Sequence, residues 1–80
     1  MLEITDGYMS LTVDDKVIAT ARFSQHAAGI FDGAWRVSSH PVRLFSRNEA
    51  ITALTLAERL AEGFGDDDPF VKAWREELFL

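Results

Sequence analysis

Helix start and stop signals in the second half of the chain constrain the fold most strongly. Ser46 and Glu49 have the spacing of a capping box, in which each side chain binds the other residue's backbone N–H at a helix start. Gly63 suits the left-handed conformation that ends many helices, and Phe64 suits the hydrophobic contact that follows. These signals predict a helix over residues 47–62. Its wide apolar face is formed by Ala50, Ala53, Leu54, Ala57, Leu60 and Ala61, with Leu56 on the flank.

A second helix start follows a short acidic turn. Asp68 is a good N-cap, Pro69 fits the first helical position, and the aspartates at 66–68 lie where the helix dipole favours negative charge. The pattern predicts a helix over residues 69–79. Capping explains the three aspartates without a metal ion, since their spacing does not match a calcium-binding loop. The apolar face of this helix is formed by Phe70, Val71, Trp74 and Leu78.

The first half of the chain alternates between apolar and polar residues with a period of two, which is typical of half-buried strands. Strands are predicted over residues 8–13 and 17–23, with a turn at 14–16 between them, because aspartate side chains can bind the backbone just ahead. A third strand begins near Trp35. The side chains predicted to face the core are Met9, Leu11, Val13, Val17, Ala19, Ala21, Phe23, Trp35 and Val37.

The connections between these strands leave two alternatives open. Residues 24–30 form a loop or continue the second strand past a bulge, and Asp32-Gly33 is a hairpin signal before the third strand. Pro41, which has no N–H to donate, ends the third strand or places it at a sheet edge. Three strands followed by two helices predict one α+β domain over residues 1–80. We expect a three-stranded antiparallel sheet with both helices packed on one of its faces.

The composition argues against several functional classes. There is no cysteine, so the chain has no disulfide, no cysteine nucleophile and no sulfur-ligated zinc site. No apolar run approaches the ~20 residues that span a bilayer, and the first residues lack the basic and apolar regions of a secretion signal. We therefore expect a cytoplasmic protein without membrane contact.

No catalytic or cofactor-binding motif organises the polar residues. His26 and His40 are the only histidines, and no pattern such as H-E-x-x-H or G-x-S-x-G is present. A glycine-rich phosphate loop is also missing from the sequence. The prediction is a non-catalytic protein with no metal ion, no cofactor and no small-molecule substrate.

Large apolar side chains outside the predicted core favour a protein partner or a homo-oligomer. Ile51 lies in the polar arc of the first helix, and Phe79 lies opposite the apolar face of the second. Together with Trp74 they are the predicted partner contacts, although Ile51 has the alternative of filling a gap beneath residues 38–45. Small domains without disulfides often gain stability from a partner chain. The first hypothesis is a small accessory or interaction module that self-associates.

A nucleic-acid-binding domain is the alternative hypothesis. If the apolar strand residues face the helices, the opposite sheet face carries Tyr8, Arg22, Arg36 and Arg43. Such a face can enter a major groove or stack single-stranded bases.

The net charge of −5, most of it in the C-terminal part, weakens attraction to phosphates. It suggests a third possibility, an acidic DNA mimic that inhibits a basic target.

Two resemblances to known families accompany these hypotheses. The segments WRVSSHPVRLFSRNEAITALTLAERL and GDDDPFVKAWREEL resemble short uncharacterised proteins of high-GC bacteria and their phages, which implies no activity. The junction of Phe45 and Ser46 with Glu49, Ala50 and Ala53 is similar to the strand-to-helix junction of plant AP2 domains and of the arm-binding domains of phage-type integrases. That second resemblance implies a three-stranded sheet that binds DNA.

Overall fold

Strands precede helices along the chain, as the sequence pattern predicts. The computed structural model describes residues 1–24 and 34–79, and these residues form five strands and two helices. The strands are β1 Leu2–Thr5, β2 Tyr8–Val13, β3 Lys16–Phe23, β4 Trp35–Val37 and β5 His40–Phe45. The helices are α1 Arg47–Ala61 and α2 Pro69–Leu78. The α+β class, with an antiparallel sheet and two helices packed against it, is confirmed.

The sheet has five strands within the described residues, so the prediction of three strands is wrong. The strands lie in the order β1-β2-β3-β4-β5, and each is antiparallel to the next. The two strands missing from the prediction are the edges of the sheet. β1 has only four residues, the lower limit for recognising a two-residue alternation. β5 contains Pro41, which an edge strand tolerates because one side of it makes no ladder.

The turn between β2 and β3 has the predicted position. Val13 pairs with Lys16 across it, which leaves Asp14 and Asp15 as a two-residue loop. Both aspartates have positive φ values, 52° and 65°, as a type I′ hairpin turn requires. Aspartate adopts this left-handed conformation more readily than most residues with a side chain.

Asp6 and Gly7 form the turn between β1 and β2 and are a sequence signal that the prediction did not use. Gly7 has a φ of 105°, a conformation that favours glycine. The dipeptide is the same hairpin signal as Asp32-Gly33, which lies outside the described residues. Applying the rule at both places would have predicted β1.

A β-bulge changes the faces at the start of β3. The register shifts between Leu11 and Thr12, so that Leu11 pairs with Ala19 while Thr12 pairs with Val17. Val17 and Ile18 are therefore exposed, and the prediction that Val17 faces the core is wrong. One extra residue in a strand exchanges the two faces for every residue beyond it.

The core lies between the sheet and α1, which crosses β2 to β5. Ala50 and Ala53 are buried, and their small side chains let α1 sit close to the strands. The α2 helix packs along α1 and adds Val71 and Leu78 to the same core. The largest fully buried side chains are Phe45, Met9, Leu11, Leu54, Leu78, Val37 and Val71.

Besides Val17, four side chains that the sequence pattern places in the core are exposed instead. Leu60 and Ala61 belong to the last turn of α1, and Phe70 belongs to the first turn of α2. All three lie at the connection between the helices. Phe23, at the end of β3, is 42% exposed. Apolar periodicity predicts which face of a helix or strand is buried. It does not predict which residues along that face are covered by the neighbouring layer.

The predicted helix caps are confirmed. The Ser46 hydroxyl accepts from the Glu49 N–H at 3.1 Å, and the Ser46 N–H donates to Glu49 Oε1 at 2.9 Å. Asp68 is the N-cap of α2, with Pro69 at its first position. No helix in residues 1–24 and 34–79 is long and apolar enough to cross a membrane.

Candidate functional site

The connection between α1 and α2 is a tight turn that carries an aromatic side chain. Gly63 has a φ of 100°, and its N–H donates to the Leu60 carbonyl at 3.1 Å. The Phe64 N–H donates back to the Arg59 carbonyl at 3.3 Å. These two bonds define a Schellman motif, in which the residue after the glycine lies over the last turn of the helix. The motif places Phe64 beside Arg59.

An ion pair joins the end of α1 to the start of α2. Arg59 Nε and Nη2 donate to the two carboxylate oxygens of Asp68 at 2.7 and 2.9 Å, a bidentate geometry. Asp68 Oδ2 also accepts from the Val71 N–H at 2.9 Å as the helix cap. The hydrogen bond from Arg59, reinforced by that backbone bond, lowers the pKa of Asp68 to about 2. One carboxylate therefore caps α2 and holds it to α1.

The Arg59 guanidinium lies between two phenylalanine rings. It is 4.0 Å from the centre of the Phe64 ring and 4.8 Å from the centre of the Phe70 ring. The Phe70 ring in turn lies 5.6 Å from the ring of Trp74. Phe64 is 41% exposed and Phe70 is 54% exposed. We call the surface formed by Arg59, Phe64, Phe70 and Trp74 the junction surface.

Acidic residues surround the junction surface. Glu62 follows the last turn of α1 and is close enough to Arg59 to raise the pKa of that guanidinium, together with the larger effect of Asp68. Asp66 and Asp67 precede the cap of α2 and are exposed. Asp66 binds Arg75 Nη1 at 2.5 Å. The connection between the helices therefore brings exposed acidic side chains close to the junction surface.

The structure separates the three predicted partner contacts. Ile51 is half-buried and packs against the core. Trp74 belongs to the junction surface and also touches the core. Phe79 is 88% exposed, but it lies at the end of α2 opposite Phe70. A ten-residue helix spans about 15 Å, so Phe79 is not part of the junction surface.

Three of the four residues predicted on the open sheet face lie together there. Tyr8, Arg22 and Arg36 are cross-strand partners on β2, β3 and β4, on the face opposite the helices. Arg43 is two residues before the buried Phe45 on β5, so its side chain is on the helix side of the sheet.

Contacts with both helices hold Arg43 on that side. Arg43 donates to the Leu78 carbonyl and, from Nη2, to Glu49 Oε2 at 3.3 Å. The expectation that Arg43 joins Arg22 and Arg36 is wrong.

Polar chemistry in the described residues is sparse. Residues 1–24 and 34–79 contain no group of three histidine, cysteine or acidic side chains placed to hold a metal ion. The ring of His40 lies 2.8 Å from the Ser39 hydroxyl, and His26 is outside the described residues. Asp68 caps α2 and pairs with Arg59, and Asp66 pairs with Arg75.

Comparison with known proteins identifies no relative, so function is inferred from the junction surface and from the open face of the sheet. No family model, no curated protein and no solved structure matches the chain. The resemblances noted from the sequence therefore remain predictions.

Proposed function

We propose that the chain is a non-catalytic protein-interaction module whose junction surface binds a basic, partly apolar segment of a partner protein. The observation that carries this proposal is the exposure of Phe64 and Phe70 around Arg59. Aromatic residues and arginine are enriched at protein interfaces and dominate their binding energy. Burying these rings against a partner would remove from water the apolar area that the fold itself leaves exposed.

Charge favours a basic partner over a second copy of the chain. Glu62 and Asp67 are exposed at the helix connection, Asp66 is exposed there but paired with Arg75, and the chain carries a net charge of −5. Two such rims placed face to face would repel each other, whereas lysine or arginine side chains of a partner would be attracted. Self-association through the junction surface is therefore the less favoured form of the proposal.

A cytoplasmic location and an accessory role in a bacterium or phage belong to the same proposal. They are supported by the lack of cysteine and by the resemblance of the C-terminal half to short proteins of that origin. Nucleic-acid binding is supported less well, because Arg43 lies on the helix side and leaves two arginines on the open face. A net negative chain also gains little from counterion release on a polyanion.

Site-specific photo-crosslinking tests the proposal directly. We expect p-benzoylphenylalanine at position 64 to give one discrete protein adduct in cells that produce the chain naturally, because an aromatic photoprobe replaces an aromatic residue. The same probe at Val42, which is 96% exposed on β5, is the matched control and should give no adduct. Changing Asp66 and Asp67 together to lysine should remove the adduct made from position 64.

The size and position of the adduct decide among the alternatives. Equal adducts from positions 64 and 42, or none from either, would overturn the proposal. An adduct of twice the chain mass would show that the junction surface binds a second copy of the chain rather than a basic partner.

A further inference from the structure

Two arginines lie side by side on the open face of the sheet. Arg22 of β3 pairs directly with Tyr8 of β2 on one side and with Arg36 of β4 on the other. Within residues 1–24 and 34–79, neither arginine makes an ion pair. Like charges directly opposite each other on neighbouring strands are destabilising. The two arginines therefore need contacts that offset this repulsion.

Both guanidinium groups are held by neutral partners rather than by carboxylates. The Arg22 guanidinium lies 4.9 Å from the centre of the Tyr8 ring. Arg36 Nη1 donates to the Pro41 carbonyl at 2.9 Å, which leaves its other N–H groups for a further acceptor. These contacts orient the two cations without neutralising them.

The pair lines a groove of about 730 Å³. This volume is in the range of sites for small organic ligands, ~300–1,000 Å³. Hydroxyl groups lie along the groove, and a carboxylate is part of its lining. These residues are Thr20, Ser24, Ser38 and Asp6.

The charge distribution selects a small anion over a polyanion. A long nucleic acid would meet the field of the whole chain, which is net negative by five charges. A compact ligand responds mainly to charges within a Debye length, about 8 Å at physiological ionic strength. Within the groove the charged side chains are Arg22, Arg36 and Asp6, a net positive set. Planar arginine groups bind phosphate through paired hydrogen bonds.

We propose that this groove binds a small organic phosphate of mononucleotide size. The phosphate contacts Arg22 and Arg36, and the groove hydroxyls contact the remainder of the ligand. The site is separate from the junction surface, so it stands or falls independently of the proposed partner binding.

Amide NMR titration at low salt tests this site, with adenosine 5′-monophosphate as the probe. We expect shifts at Gly7, Thr20 and Ser38, and an affinity at least about tenfold weaker in Arg22→Gln and in Arg36→Gln. Arg47→Gln is the matched control, because Arg47 is an exposed arginine at the start of α1 and should bind the probe like the unaltered chain. The amide spectra of all variants report whether the fold is retained.

Three comparison probes separate the proposal from simpler explanations: adenosine, inorganic phosphate and a single-stranded 12-nucleotide DNA. Adenosine without phosphate should bind at least about tenfold more weakly than the nucleotide. Inorganic phosphate should also bind more weakly, because it is too small to contact the groove hydroxyls as well as the two arginines.

Each contrary result overturns the mononucleotide assignment. No groove shifts, equal binding of adenosine, or equal binding of inorganic phosphate would each do so. Tighter binding of a single-stranded 12-nucleotide DNA than of the nucleotide would assign the face to nucleic acid instead.

Discussion

At the scale of single residues, Asp68 has the most consequential position in the chain. Its carboxylate accepts two hydrogen bonds from Arg59 and one from the backbone at the start of α2. The side chain is 10% exposed, and the Arg59 side chain is 27% exposed, so water only partly screens the pair. The Arg59 guanidinium held by this pair also contacts the rings of Phe64 and Phe70.

The low pKa of Asp68 makes part of the stability dependent on pH. In the folded chain the pKa is about 2, below the value of about 3.9 for an unfolded aspartate. The folded state therefore binds fewer protons between these values, and the stabilisation present above pH 4 is lost as the pH falls through about 2. We expect the Tm difference between the unaltered chain and Asp68→Asn, measured by thermal unfolding, to shrink as the pH falls from about 4 to about 2.

The control for this measurement keeps the apolar contacts of residue 59. Arg59→Met retains an apolar side chain between Phe64 and Phe70 but cannot pair with Asp68. In a chain that carries Arg59→Met, the Tm difference caused by adding Asp68→Asn should lose most of its pH dependence. An unchanged pH dependence would mean that Arg59 is not its cause.

At the scale of elements, the β2–β3 hairpin is under backbone strain. Asp14 and Asp15 both occupy the left-handed region, with φ values of 52° and 65°. A residue with a side chain loses about 1–2 kcal/mol there relative to an extended or right-handed conformation, whereas glycine does not.

We expect Asp15→Gly to raise the free energy of unfolding by about 1 kcal/mol. In a domain of this size that gain corresponds to about 4–8 °C in Tm. Asp6→Gly is the matched control, since it also removes one negative charge from a turn but at a residue without positive φ. A gain in both variants would indicate charge repulsion rather than backbone strain.

Helix caps depend on contacts between residues close in the sequence, whereas edge strands depend on contacts between residues far apart in it. Ser46 and Glu49 contact each other across three residues, so the start of α1 could be predicted from the sequence. The β5 strand depends instead on pairing with β4 and on contacts with both helices through Arg43. Its sequence, which begins with His40 and Pro41, has no alternation that would predict this arrangement.

At the scale of the whole molecule, one small core supports both surfaces. Leu54 is fully buried at the centre of α1 and belongs to the core. A folded chain of 80 residues has a free energy of unfolding of about 4–12 kcal/mol, so a single core truncation removes a large part of it.

Leu54→Ala should lower the free energy of unfolding by about 3 kcal/mol, measured by urea denaturation. Val42→Ala should change it by less than about 0.5 kcal/mol, because Val42 is 96% exposed. A similar loss of free energy of unfolding in both variants would contradict this expectation. It would mean that Val42 on β5 is buried against apolar side chains.

The two surfaces lie on opposite layers of the molecule and have opposite charge. The junction surface is rimmed by acids of the helix connection, whereas the groove on the open sheet face carries Arg22 and Arg36. The proposed protein partner and the proposed phosphate ligand could therefore bind at the same time. Photo-crosslinking and NMR titration test them separately.

The sequence alone determined the features that depend on neighbouring residues. These are the class of fold, both helices, their caps, the β2–β3 turn and the buried faces of β2 and β4, because local backbone chemistry and short periodicities control them. Tyr8, Arg22 and Arg36 could also be placed on one face for this reason. The exposure of Val17 and Phe23 could not, because a bulge changes the face of Val17 and Phe23 lies at the end of β3.

Only the tertiary structure decided what distant segments make together. It added β1 and β5, turned Arg43 towards the helices, packed Ile51 against the core and brought Arg59, Phe64, Phe70 and Asp68 into one cluster. It also placed Arg22 opposite Arg36 over a groove. Each of these contacts depends on strand register or on how far one layer covers another. Those quantities are set by packing across the whole chain rather than by the residues next to each position.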